Sequence, residues 1–332
     1  MIFSDKTLKH LLIWNFIAGT CNIAMAIVTG VVGNLDLRPD LYNVQTEFTD
    51  MTDAYMLAPT NHVYGTFPIT ALMMATFIIS AVFNYGNIML WPNAYYSKLE
   101  KGCSPFRWTD VFFSTTLLTG CVAFASGIRD LNQLVLVSGL SVTVTSLLYL
   151  TDVYLKPKDD VDAWQEERFI MRAKPHLISV IPFTFMWIML FMTFFNGPSC
   201  VAPNWLWATF IIFFILSIAN FLPQVYQVAM PPSLYVKGEF KYITLTTFTK
   251  ILIGILLVSS VLGKTDFNSA VVKSDPSGCL AYPPPPPPAA APSPPPYPPN
   301  EAPTPPPPSI SPFPPSASPS PPPTSPSPPP PP

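Results

Sequence analysis

Two residues stand out as able to do chemistry together: Lys250, inside the apolar run Ile243 to Leu262, and Asp110, inside a second apolar run. An ammonium at membrane depth costs roughly 2.5–3.5 kcal/mol on insertion scales, so an intramembrane lysine is a functional hypothesis by default. Its bland alternative is snorkelling to the interface. About 13 Å of helix separates Lys250 from Lys241, at 1.5 Å per residue, which argues against it. A buried primary amine suits one chemistry in particular, condensation with an aldehyde chromophore to give a Schiff base. The protonated imine then needs a counter-charge, because burial disfavours the charged form. Asp110 supplies one, with Ser114 one turn on and Thr246 one turn before the lysine. The rival reading makes Asp110 a helix-start residue beside Arg107. Asp152, near the end of its own run, reads as an interface residue, so that Asp152→Asn is expected to change little.

The elements that must hold this pair are membrane helices. Of 332 residues 49% are hydrophobic and 11% charged, and the apolar residues fall in long blocks, which excludes an ordinary globular domain. The expected fold is an all-α membrane protein, a bundle of seven transmembrane helices over about residues 11–32, 67–91, 108–127, 131–155, 176–195, 204–230 and 243–262. Pro182 is expected to bend the fifth. The polar connection Gly33 to Tyr64 is long enough for a small folded hairpin. Five cysteines without CxxC or CxxH spacing argue against a metal or redox motif, and nothing in the pattern points to an enzyme. Net charge of −2 singles out no partner, and none is expected to be a nucleic acid.

With seven spans the termini lie on opposite sides. If the N-terminus is inside, inner segments hold twelve Lys and Arg and outer segments four, which favours a cytoplasmic N-terminus and an extracellular C-terminus. The domains read as 1–265, the membrane body, and 266–332, a tail. From Pro276 to Pro332 there are 31 of the 44 prolines, a composition for disordered, polyproline-type extension rather than a core.

Arg107-Trp108-Thr109-Asp110-Val111-Phe112-Phe113-Ser114 resembles the third-helix motif of heliorhodopsins, Arg-Trp-x-Glu-Tyr-x-x-Ser, with aspartate for glutamate and valine for tyrosine. Thr246 and Lys250 resemble that family's Ser-x-x-x-Lys. The inverted topology and a structured first outer loop are similar too. The resemblance spans the seven helices and implies all-trans-retinal on Lys250, Asp110 as counterion, a homodimer in membrane lipid and a cytoplasmic signalling partner. It also implies histidines in helices one and two, where this chain has Asn22 and Asn84; neither amide takes up a proton at physiological pH. His10, His62 and His176 lie at helix ends or in loops. Trp108, Pro182, Phe183, Trp187, Phe210, Phe213 and Phe214 are the residues expected near a polyene.

Three functions remain open from the sequence. The first is a light sensor with a slow photocycle, the second light-driven or light-gated proton or ion transport. The third is a non-photochemical receptor or carrier that uses Lys250 to bind an anion. The charge asymmetry yields a direct test of orientation: a tag after Pro332 should be reachable from outside intact cells and one before Met1 should not. External labelling of the N-terminus would overturn the inverted topology.

Overall fold

The computed structural model describes residues 5–51, 54–154, 169–196, 202–229 and 235–272. The proline tail, from 273 onward, lies outside them. Among the described residues seven helices are long and apolar enough to cross a membrane. They are built from α1 (Asp5–Val32), α2 (Ile69–Met89), α4 (Pro105–Ala125), α5 (Leu131–Tyr154), α6 (Phe169–Asn196), the pair α7 (Asn204–Ala219) and α8 (Leu222–Ala229), and α9 (Tyr235–Leu257). α9 continues as a π-helical turn, Val258–Leu262. Two short helices complete the set, α3 (Pro92–Glu100) and α10 (Phe267–Val271).

Local chemistry sets where the important helices begin and end. Pro92 and Pro105 open α3 and α4, where a missing N–H costs nothing. Each of these helices closes on a glycine with positive φ, Gly102 at 64° and Gly127 at 109°. At the first, Cys103 N donates to Lys98 O at 3.1 Å and Gly102 N to Leu99 O at 2.9 Å; at the second, Ile128 N donates to Ala123 O at 3.1 Å and Gly127 N to Phe124 O at 3.2 Å. This paired pattern caps the last carbonyls and needs a left-handed residue. It fixes the length of α4, and with it the height of Asp110. α3 falls in the connection between the expected spans 67–91 and 108–127. α6 starts about two turns earlier than His176 and runs on through Pro175 and Pro182 without a break. The α7–α8 span is interrupted at Asn220 and Phe221, just ahead of Pro223, whose ring and absent N–H oppose a continuous helix.

β1 (Asp40–Met51) and β2 (Ala54–Thr66) pair antiparallel, with a register shift between Leu41 and Tyr42. The base of this hairpin is hung on the α4–α5 turn. Tyr42 N donates to Arg129 O at 2.9 Å, Val44 N to Asp130 Oδ1 at 3.0 Å, and Asn34 N to Leu262 O at 2.6 Å.

The bundle interior is polarised along its axis. One half, towards the C-terminal end of α4, is an apolar core that includes Phe77, Leu118, Phe124, Phe194, Phe210, Leu257 and Val261. Phe267 of α10 is buried in it, stacked edge-on against Phe124, so packing continues past residue 265. The other half buries Asn15, Asn87, Arg107, Asp152, Gln224, Gln227 and Glu239. Lys250 and Asp110 lie between the two halves. Helix contact in the apolar half is close: a Cβ at Gly254 would strike the Phe77 ring and come within 3.3 Å of Met25 Cε. Gly254→Ala should therefore force the fully buried Phe77 off its rotamer and destabilise the fold by about 1–3 kcal/mol. Unfolding in graded detergent measures it; an unchanged midpoint would mean that α2 and α9 are not in tight contact there.

Candidate functional site

Because α9 begins eight residues before Ile243, Lys250 lies near the middle of the span Tyr235–Leu262. It is 3% exposed. Its Nζ is 3.1 and 3.3 Å from the two carboxylate oxygens of Asp110 and 2.6 Å from Ser80 Oγ. Ser80 in turn donates to Asp110 Oδ1 at 2.7 Å. One serine on α2 thus touches both members of the ion pair. Ser80 was not picked out from sequence; the only signal was its place one turn before Asn84, whose Nδ2 donates to Ser80 O at 2.7 Å. A charged pair away from water is tolerable only when close and further hydrogen-bonded, and this one is both.

The remaining expected residues separate into those brought to the site and those kept from it. Ser114 donates to Asp110 O, the main-chain carbonyl, at 2.6 Å, so it steadies α4 instead of meeting the amine. Thr246 donates to Tyr242 O at 2.9 Å and lines the cavity beside Lys250. Asn22 donates to Ala18 O at 2.8 Å, and its Oδ1 has no partner; it lines neither cavity described here. A cavity of about 80 Å³ lies beside Lys250. Phe183, Phe213, Phe221, Tyr242, Met186 and Leu118 form much of its wall. Trp187, Phe210 and Phe214 are not in that wall. Trp187 packs behind it, its ring 6.3 Å from Phe183, 5.6 Å from Phe213 and 4.8 Å from Phe214. Pro182 does not line it either. Phe221 and Asn220 reach it because the helix breaks there, which periodicity alone does not reveal.

Trp108 belongs to a different centre. Its Nε1 donates to Asp152 Oδ2 at 2.5 Å, and the same oxygen takes Arg107 Nη2 at 2.7 Å and Tyr235 Oη at 2.8 Å, while Gln224 Nε2 reaches Oδ1 at 2.9 Å. Asp152 is 0% exposed. The reading of Asp152 as an interface residue is therefore corrected: side chains from three other helices, α4, α8 and α9, enclose it. Arg107 also pairs through Nη1 with Glu239 Oε2. Glu239 receives Ser104 Oγ at 2.8 Å and Tyr95 Oη at 3.5 Å. Burial, with the Glu239 charge next, pushes the Tyr95 phenol well above its ordinary pKa, so it stays a donor. Glu239 escaped notice because it sits among Lys237 and Lys241 and reads as interfacial. Its spacing held a clue, since eleven residues are close to three helical turns and put Glu239 on the same face as Lys250. Among the described residues no group of His, Cys, Asp and Glu could hold a metal ion.

Arg107 is thus committed to Asp152 and Glu239, and Asp110 to Lys250. The heliorhodopsin family profile matches residues 11–262, covering all seven spans. The chain belongs to the heliorhodopsin family. It is accordingly a retinal-binding, light-responsive, multi-pass membrane protein. Its fold is similar to solved microbial rhodopsins. Xanthorhodopsin, described as a light-driven ion pump with dual chromophore, superposes with a TM-score of 0.55 at 13% identity, over 80% of this chain and 97% of that one. A thermophilic rhodopsin gives 0.52 at 11% identity, over 77% and 94%. No curated protein sequence matches significantly.

The retinal of this family fits the residues present: an amine at one end of an aromatic-walled cavity, with a carboxylate behind it. The Arg107 cluster makes a separate, structural demand. Arg107→Gln leaves two buried carboxylates facing each other and should cost about 3–5 kcal/mol, as unpaired buried charge does. Asp152→Asn keeps Arg107 paired with Glu239 and should cost less, about 1–3 kcal/mol. Thermal unfolding of both variants tests the order, and a milder effect for Arg107→Gln would refute the charge argument.

Proposed function

We propose that the chain is a light sensor, holding all-trans-retinal as a protonated Schiff base on Lys250 with Asp110 as its counterion and a slow photocycle. The observation that carries this reading is the Lys250–Asp110 pair, 3.1 Å apart, with Lys250 lining the aromatic-walled cavity. Lys250 Nζ is the atom that would become the linkage nitrogen. Bound retinal supplies light absorption and double-bond isomerisation. The protein supplies the rest: Asp110 holds the proton on that nitrogen, Ser80 orients both groups, and Phe183, Phe213 and Tyr242 confine the polyene. The apolar half of the bundle separates this centre from one surface.

The further parts of the proposal are a cytoplasmic N-terminus, an extracellular C-terminus, a homodimer and a cytoplasmic partner that reads the conformational change. Proton or ion transport is the second reading. It draws on the small polar cavity that Asp110 shares with Glu239 and Arg107.

Reconstitution with all-trans-retinal should give a visible pigment, and Lys250→Ala should give none. A carboxylate within about 4–6 Å favours the charged nitrogen, by about 1.4 kcal/mol per pKa unit. Asp110→Asn should therefore lower the pKa of the linkage and leave a near-ultraviolet pigment at neutral pH. Visible colour in Lys250→Ala, or an unaltered pH titration in Asp110→Asn, would refute the assignment, and a colourless wild type would favour a receptor or carrier.

A further inference from the structure

We infer that Glu239 is the group that finally receives the proton leaving the Lys250 nitrogen, so that the Arg107 cluster is a proton store as well as a structural joint. The inference rests on the Schiff-base reading above and adds a destination to it.

Geometry supplies the first argument. Asp110 and Glu239 line one small polar cavity together with Arg107, Asn15, Asn84 and Asn87, with room for about one water molecule. Of the residues in that lining, only the two carboxylates can exchange a proton near neutral pH: the asparagines cannot ionise and Arg107 stays charged. Once Asp110 has taken a proton, Glu239 is the next acceptor along the cavity.

Charge supplies the second argument. The two linked centres bury two cations, at Lys250 and Arg107, against three carboxylates, Asp110, Asp152 and Glu239. One guanidinium serves both Asp152 and Glu239. Asp152 accepts four hydrogen bonds, from Arg107, Trp108, Gln224 and Tyr235, three of them on Oδ2. It is also absent from the cavity lining. Glu239 has Arg107, Ser104 and a long contact from Tyr95. A proton placed on Glu239 leaves Arg107 and Asp152 as a neutral pair, which removes the imbalance at this end.

The transfer balances in two steps. The N–H bond at Lys250 breaks as an O–H bond forms on Asp110; that bond then breaks as one forms on Glu239. The nitrogen ends neutral, Asp110 returns to its carboxylate and Glu239 ends neutral. The titratable groups facing Glu239 are Tyr95 from α3, Cys103 just ahead of α4, Arg107 and Asp110 from α4, Asp152 from α5, and Tyr235 and Tyr242 from α9. With Glu239 1% exposed, a proton there is held inside the protein.

Light-minus-dark infrared spectra of the full-length pigment test this. Loss of the visible band should be accompanied by a carboxylic-acid C=O band that is absent in Glu239→Gln and present but shifted in Glu239→Asp. In Glu239→Gln the proton has only Asp110 to rest on and returns directly, so the deprotonated state should decay about tenfold faster, equivalent to about 1.4 kcal/mol. Acid titration of the retinal-free protein should likewise lose one acid C=O band in Glu239→Gln. A coloured Glu239→Gln pigment with the same band and lifetime would overturn this inference alone, as would a band that shifts in Asp110→Glu and not in Glu239→Asp. A colourless wild type would overturn the Schiff-base reading first.

Discussion

A cation held away from water must have an anion beside it, and that requirement organises this protein. Lys250 cannot stand at mid-membrane depth by itself. It draws Asp110 from α4 and Ser80 from α2 into contact, and so ties three helices at one level. Arg107 repeats the arrangement one turn nearer the end of α4, gathering Asp152 and Glu239. Much of the polar interior follows from satisfying these two cations, since each carboxylate brings its own donors. The apolar half of the bundle has no such obligations and is filled by rings and branched chains.

The segregation also explains how the site works with so few charged groups. On one side of Lys250 lies the aromatic-walled cavity, where shape matters more than polarity. On the other lies a narrow polar gap leading to Arg107. Tyr242 belongs to both environments: its ring walls the cavity and lies under the Arg107 guanidinium, 4.4 Å from ring centroid to Cζ. Movement of the cavity wall therefore has a short mechanical route to the ion cluster, through one side chain.

How much of this was legible in the sequence depended on whether the signal was local. The seven spans were readable because apolar runs of helix length are unambiguous, and Lys250 and Asp110 because isolated charges within such runs are rare. Helix starts were less readable: α9 and α6 extend well beyond their apolar stretches, because Tyr235, Glu239 and Arg172 are buried by neighbours rather than by lipid. That is why Asp152 was misjudged and Glu239 passed over. Their environment is set by Arg107, on a different helix, and no window along the chain reports it. Ser80 is the same case, an ordinary hydroxyl until α4 and α9 are placed against it. Of the aromatic residues, Phe183 and Phe213 line the cavity while Trp187, Phe210 and Phe214 do not, and nothing along the chain separates the two sets.

At its base the hairpin between α1 and α2 meets the bundle through main-chain donors, with Asn43 Oδ1 also accepting from Asn132 Nδ2 and Leu41 buried in the core. Tyr42 and Asn34 donate from their backbone nitrogens to carbonyls of Arg129 and Leu262, and a single side chain, Asp130, serves both Val44 N and Gln133 N. Bonds of this kind are indifferent to which residue carries them, provided it is not proline. The bonds from Tyr42 N and Val44 N would accordingly survive a change of those two side chains, whereas the seats of Asn43 and Leu41 depend on the residue. The attachment of the hairpin thus tolerates some change of sequence at its main-chain contacts, a latitude that the ion pairs inside the bundle do not share.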